Sequence, residues 1–262
     1  MNLFDSHSHY NDEKFDIDRD EIIKETLGNG VSNFIVAGYN IESSRKAIEI
    51  ATKHECLYAI VGISPNDVEN INNEEDMEKY VSQIEKMARN EKVVAIGEIG
   101  LDYYWNKENK EIQKGVFIKQ IELANKLELP IVIHTRDAML DTIDILKQNN
   151  VNKKGIFHCC PLNMELIKDA IKLEFYISLS GVITFKNAKN VDEIINMIPE
   201  DRLLIETDSP YLSPEPVRGR RNNSMNVRYV AEKIANVKNK TLEEIAEITS
   251  NNAKRIFVLD RI

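Results

Sequence analysis

Short apolar runs rich in β-branched and aromatic residues alternate along this chain with longer stretches whose apolar residues recur at helical period. The runs that read as strands are Asn2–Asp5, Asn33–Ala37, Leu57–Val61, Val93–Gly97, Ile131–Ile133, Gly155–Phe157, Phe175–Leu179 and Leu203–Ile205. Between them lie amphipathic segments. Phe117, Ile121, Ala124 and Glu128 fall at i, i+4, i+7 and i+11, the first three forming an apolar stripe while Lys119, Glu122 and Lys126 face water. Val227, Val230, Ala231 and Ile234 mark another stripe, and Thr241 with Glu244 forms a capping-box pattern opening a helix with Leu242, Ile245 and Ala246 inside. Strands alternating with helices predict a parallel sheet, and eight such units in about 250 residues is the arithmetic of a (β/α)8 TIM barrel. The expectation is one barrel domain spanning residues 1–262. An open doubly wound sheet is the alternative, but the chain has neither a Gly-rich dinucleotide fingerprint nor a P-loop to motivate one.

Composition narrows the class. With 42% hydrophobic and 29% charged residues, the chain can bury a sizeable core and does not read as disordered. No apolar run approaches the length needed to cross a bilayer, so no membrane association is expected. The opening Met1–His7 lacks the basic and apolar stretches of a secretory signal, and Cys56, Cys159 and Cys160 make no disulfide framework. A reducing cytoplasm is the expected setting. The net charge of −9, from 34 basic against 43 acidic residues, excludes a broad basic face for nucleic acid. A polyanionic substrate would need bound metal or a local basic loop.

The chemistry gathers at strand ends. Of the five histidines, His54 sits late in a helical stretch and reads as a surface residue, whereas His7, His9, His134 and His158 lie at or just past the carboxyl ends of strands. In a barrel this rim is where active sites are built. Glu98 and Asp208 end two further strands, and uncompensated carboxylates converging there would repel each other and lose hydration. Divalent metal resolves the conflict. His7 and His9, two apart on an extended strand, point to one side and can grip one ion, which Asp208 can close. Glu98 can bridge two ions, with His134 and His158 completing a second site. The imidazole–carboxylate set suits zinc, manganese or a similar ion, with magnesium possible, and two ions suit a hydrolytic displacement.

The segments Asp5–His9, Gly97–Tyr103, Ile133–Asp137, Phe157–Cys159 and Glu206–Pro210, with Ser180–Lys186 and Arg218–Asn222, resemble the signatures of the TatD family of metal-dependent deoxyribonucleases. They occur in order over most of the chain. The resemblance implies an amidohydrolase-like barrel, a divalent-metal site, and cleavage of DNA phosphodiesters, often from the 3′ end. It also implies His7, His9, Glu98, His134, His158 and Asp208 as ligands, the same set read from the strand ends. The sequence departs from the family in two places. The loop after the third strand carries Ser64 and Asn66 where the family has histidines, and these can donate hydrogen bonds to substrate but add no positive charge. Cys160-Pro161-Leu162 replaces an aromatic and a glycine after His158-Cys159, and Cys160 reads as a packed thiol.

Positive charge for a polyanion is sought in Arg218, Arg220 and Arg221, on a Pro-punctuated loop after the eighth strand, and in Arg136 beside His134. Tyr103, Tyr104 and Trp105 follow Glu98 and can stack on an unpaired base or pack as a lid. The leading expectation is therefore a 3′–5′ exonuclease acting on DNA by two-metal activation of water, with Glu98 and Asp208 catalytic, Asp208 taking the proton, and no obligate protein partner. Glu206 reads as a supporting acid. Alternatives are a metal-dependent ester or amide hydrolase, such as an aminoacyl-tRNA deacylase, and a catalytically weak nucleic-acid-binding barrel.

Overall fold

Eight strands, β1 (Leu3–Ser8), β2 (Val31–Ala37), β3 (Leu57–Val61), β4 (Val93–Asp102), β5 (Ile131–Arg136), β6 (Gly155–Phe157), β7 (Tyr176–Leu179) and β8 (Leu203–Ile205), form one sheet in sequence order. The structure, a computed structural model, describes residues 2–105 and 107–259. The helices that alternate with the strands are α1 (Arg19–Gly28), α2 (Ile41–Thr52), α3 (Glu74–Met87), α4 (Lys110–Leu127), α5 (Met139–Gln148), α6 (Met164–Lys172), α7 (Val191–Met197), α8 (Val227–Lys238) and α9 (Leu242–Phe257). This is the (β/α)8 TIM barrel expected from the alternation. No helix among the described residues is long and apolar enough to cross a membrane.

The chain forms two compact units, one made of residues up to Val36 with those from His158 onward, the other Ala37–Phe157. In the first, β7 pairs in parallel with β8, and β1 with β2. The chain just past β8 joins β1: the Asp208 amide donates to the His7 carbonyl at 3.0 Å and the His9 amide to the Ser209 carbonyl at 2.7 Å. Below this seam Phe4 stacks on Phe257 of α9, and Tyr10 packs between Phe15 and Phe34. α9 opens with the predicted capping box, Thr241 and Glu244 each bonding the other's backbone amide, and buries Ile245 and Ala246. The stripe of Val227, Val230, Ala231 and Ile234 is the buried face of α8.

In the second unit β3, β4, β5 and β6 pair in parallel. Every residue of β4 is buried, as expected for a strand covered on both faces. α4 buries Phe117, Ile121 and Ala124 as predicted, and it also buries Gln113 and Gln120. These glutamines each satisfy one residue's backbone twice over. Gln120 accepts from the Ile63 amide at 2.8 Å and donates to its carbonyl at 3.0 Å; Gln113 does the same for Asp102 at 2.9 and 3.0 Å. A buried amide group is tolerated because all its polar atoms are used, and α4 thereby fixes the chain past β3 and the end of β4.

Three strands run further than their apolar cores. β1 continues through Ser8, β4 through Asp102 and β5 through Arg136. The polar residues there stay in the sheet, so His7, Glu98 and His134 are strand residues, held by ladder hydrogen bonds rather than carried on loops.

Candidate active site

In the first unit, the β1–β8 seam sets the geometry. Asp5 is fully buried and its carboxylate accepts from the Thr207 amide at 2.9 Å and the Thr207 hydroxyl at 2.6 Å, locking the chain past β8 against β1. Burial lifts its carboxyl to about 7, even though the hydrogen bonds from Thr207 oppose the rise. The seam brings three donor atoms together. His7 Nε2 lies 3.2 Å from His9 Nε2, and Asp208 Oδ1 lies 3.8 Å from the first and 3.3 Å from the second. Tetrahedral coordination at about 2.0–2.1 Å per bond spaces neighbouring ligand atoms about 3.3–3.4 Å apart. Two of the observed spacings match that figure and the third, His7 to Asp208, is wider by about 0.4 Å, a gap a small side-chain rotation closes, so these residues fit a divalent ion.

His158 stacks on His7 with ring centroids 3.9 Å apart, and its Nδ1 lies 3.3 Å from Glu206 Oε1. A carboxylate on one ring nitrogen fixes the tautomer and turns the other toward a ligand. His158, Glu206 and Asp208 also offer atoms within 4.8 Å of one another. Glu206 Oε2 is buried with no hydrogen-bond partner among the described residues. An orphaned carboxylate oxygen in this setting is a further sign that the cluster fits a cation. Asp208 is a carboxylate here: burial raises it, but the His9 bond and the charges of His9, His158 and His7 together hold it below its ordinary value. Its backbone is left-handed, at φ 56°.

In the second unit, His134 lies between two carboxylates, with Nδ1 3.0 Å from Glu98 Oε1 and Nε2 2.9 Å from Asp102 Oδ2. The register places Gly100 of β4 beside His134 of β5. Gly100 has φ 137°, and a Cβ there would overlap the His134 carbonyl oxygen, so only glycine lets the strands approach. Asp102 also accepts from the Asn66 side chain at 3.3 Å and from the amides of Tyr104 and Trp105 at 2.9 and 3.0 Å. Burial acts to raise its carboxyl, but the His134 bond, the Trp105 amide and the Asn66 amide outweigh it and hold the group at about 2.

Asp102 therefore stabilises the fold above the ordinary carboxylate pKa of 3.8 and loses that contribution as pH falls through about 2. At about 1.4 kcal/mol per unit, the contribution is on the order of 2 kcal/mol. In urea unfolding of metal-free protein, Asp102→Asn is expected to be less stable than wild type at pH 7. The gap should close between pH 4 and pH 2, and a gap independent of pH would contradict the assignment.

The remaining predicted residues are spread more widely. Ser64 is buried and caps the turn Pro65–Asp67 by accepting from the Asn66 amide, while Asn66 reaches Asp102. Tyr103 is buried, with its hydroxyl donating to Asp141 at 2.6 Å and Lys110 over its ring, which is the lid-packing arrangement rather than a stacking surface. Tyr103→Phe is expected to cost about 1 kcal/mol in urea unfolding, modest because Asp141 is 37% exposed, without changing KM for an oligonucleotide. Arg221 makes two bonds to Asp18, at 2.8 and 2.6 Å, so its guanidinium is paired with a surface acid rather than turned to a phosphate. Arg218 lies over Phe185 and donates to the Ser213 carbonyl, and Arg220 is exposed. Arg136 lies over Tyr104. Cys160 is packed, its thiol pushed up by burial, as Cys159's is. A separate open cleft of about 940 Å³ beside Phe185 and Tyr229 is rimmed by Asp192, Glu193, Glu215 and Glu232, an acidic lining that repels a polyanion.

Asp102, Gln113 and Gln120 were not singled out by sequence. Asp102 carried one signal, since it stands four residues after Glu98 in an extended run and so falls on the same strand face. The glutamines carried none.

Comparison with known proteins agrees with this architecture. The family model described as TatD related DNase matches residues 4–258. The chain is 45% identical over 256 residues to the uncharacterized metal-dependent hydrolase YabD of Bacillus subtilis, covering 97% of this chain and 98% of that one. It is 35% identical over 264 residues to the uncharacterized metal-dependent hydrolase YcfH of Escherichia coli K12, covering 99% and 97%. Among solved structures, the TatD homologue YJJV of Escherichia coli K12 superposes with a TM-score of 0.90 at 25% identity, covering 97% of each chain. An organophosphorus hydrolase from Deinococcus radiodurans shares the fold alone, with a TM-score of 0.66 at 13% identity over 97% of this chain and 92% of that one. With the family's model spanning nearly its whole length, this chain belongs to the TatD related DNase family of metal-dependent hydrolases.

Proposed function

We propose that the protein is a divalent-metal-dependent deoxyribonuclease that hydrolyses DNA phosphodiester bonds from the 3′ end. Its ligands are His7, His9, Glu98, His134, His158 and Asp208, holding two ions of zinc, manganese or magnesium. The observation that carries this reading is the His7–His9–Asp208 triad, two buried histidines and a half-buried carboxylate whose donor spacings suit a metal and have no obvious use in packing. Bound ions would stabilise charge on a phosphoryl oxygen and acidify water.

The chain's own residues supply the rest. Asp208, kept ionised by its histidine neighbours, accepts the proton of the attacking water. Glu206 and Asp102 orient His158 and His134. Arg136 would hold substrate phosphate, with Arg218 and Arg220 as further contacts. On a protein of net charge −9, this local charge makes DNA affinity sensitive to salt.

The test is a time course with metal-loaded protein on DNA labelled at the 5′ end, single-stranded and duplex, run beside an aminoacyl ester. A ladder shortening one nucleotide at a time supports the proposal. Turnover of the ester without cleavage of DNA overturns it in favour of acyl chemistry.

A further inference from the structure

Two of the protein's most exposed large hydrophobic side chains adjoin the second unit's carboxylate–histidine cluster. Trp105 is 69% exposed and Tyr104 is 49% exposed, their rings edge to face at 4.8 Å. The guanidinium of Arg136 lies 3.8 Å from the centre of the Tyr104 ring and 5.5 Å from that of Trp105. Among the described residues the guanidinium's partners are those rings, so its hydrogen-bonding edge remains available to an anion. The backbone amides of Tyr104 and Trp105 both donate to Asp102 Oδ1, whose other oxygen holds His134. The backbone that carries the rings is thus tied by two hydrogen bonds to the carboxylate that orients a proposed metal ligand.

Leaving an indole and a phenol ring in water forfeits the burial that large aromatic side chains usually gain, and neither ring is needed to close the core. Their surroundings identify what would cover them. A flat π-face beside a guanidinium that has no acid partner among the described residues complements a nucleobase joined to a phosphate, the base stacking while the arginine grips the phosphate oxygen. Bases inside a duplex are already stacked on their neighbours and cannot offer a face. We propose that Tyr104, Trp105 and Arg136 form a stacking platform for an unpaired nucleobase, making single-stranded or frayed DNA the favoured substrate over blunt duplex. The inference rests on the nuclease reading for its substrate class, but the platform can be tested apart from cleavage.

Trp105 is the chain's single tryptophan, so its emission reports on the platform directly. Metal-loaded protein is titrated with a cleavage-resistant phosphorothioate oligothymidylate, and separately with a blunt phosphorothioate duplex of equal length. Emission should be quenched by the single strand and left nearly unchanged by the duplex. With fluorescein-labelled oligothymidylate, anisotropy should show Trp105→Ala and Tyr104→Ala binding about five- to a hundredfold more weakly, and Trp105→Phe recovering most of the affinity. Both rings are exposed and their anchoring amides persist in the variants, so folding is not at stake.

Single-strand binding by Trp105→Ala equal to wild type would overturn the platform, as would unquenched emission in a wild-type complex. Cleavage is scored separately on ordinary phosphodiester DNA. Wild type that binds and is quenched but never shortens DNA supports the platform and removes the nuclease reading. Wild type that shortens DNA without quenching does the reverse.

Discussion

Asp208→Asn is expected to fold normally and to lose turnover by about 10²–10⁴-fold, the usual worth of a positioned proton acceptor. Asparagine is the right probe for two reasons. It keeps the shape of the side chain, and it tolerates the left-handed backbone that Asp208 adopts at φ 56° better than other residues with a Cβ. The Asp208 amide and carbonyl, bonded to His7 and Tyr211, are untouched by the change. What disappears is the negative charge 3.3 Å from His9 Nε2, and with it both the proposed proton acceptor and part of the field that would retain a cation. Circular dichroism and thermal unfolding check the fold, and initial rates on labelled single-stranded DNA check the chemistry. Wild-type rates in this variant would remove Asp208 from the role of proton acceptor.

Glu98→Ala should act through metal content. Glu98 is a buried residue of β4 whose carboxylate lies 3.0 Å from His134 Nδ1. Alanine there deletes a proposed oxygen ligand and leaves His134 with a carboxylate on its Nε2 side only. Elemental analysis after extensive dialysis is expected to show less bound metal than wild type, with activity falling by at least about a hundredfold. Unchanged metal content would refute the bridging role assigned to Glu98. A variant that regains rate when excess metal is added would instead show that Glu98 governs affinity alone.

Much of the fold was legible because burial leaves a periodic trace. The runs Leu57–Val61, Gly155–Phe157 and Leu203–Ile205 coincide with β3, β6 and β8 to the residue. The strand ends were harder to read. At His7, Glu98 and His134 the chain turns polar while still bonded into the sheet, and a rule that ends a strand at its first polar residue stops short there. The substrate contacts were least legible. Whether Arg221 faces a phosphate or Asp18, and whether Tyr103 stacks on a base or donates to Asp141, depends on neighbours more than 30 positions away in the chain.

The alternation of strands and helices, and the placing of histidines and acids at strand ends, follow from short-range pattern alone, because side-chain period and residue chemistry are local properties. Which lone pairs meet is not local. The His7–His9–Asp208 spacing exists because Asp5 holds Thr207 and the His7 carbonyl receives the Asp208 amide across some 200 residues of chain. The Glu98–His134–Asp102 row exists because a glycine with φ 137° lets two strands close and a buried glutamine fixes where β4 ends. Register and polar satisfaction are properties of the packed chain, and they turned a set of candidate ligands into two clusters spaced for chemistry.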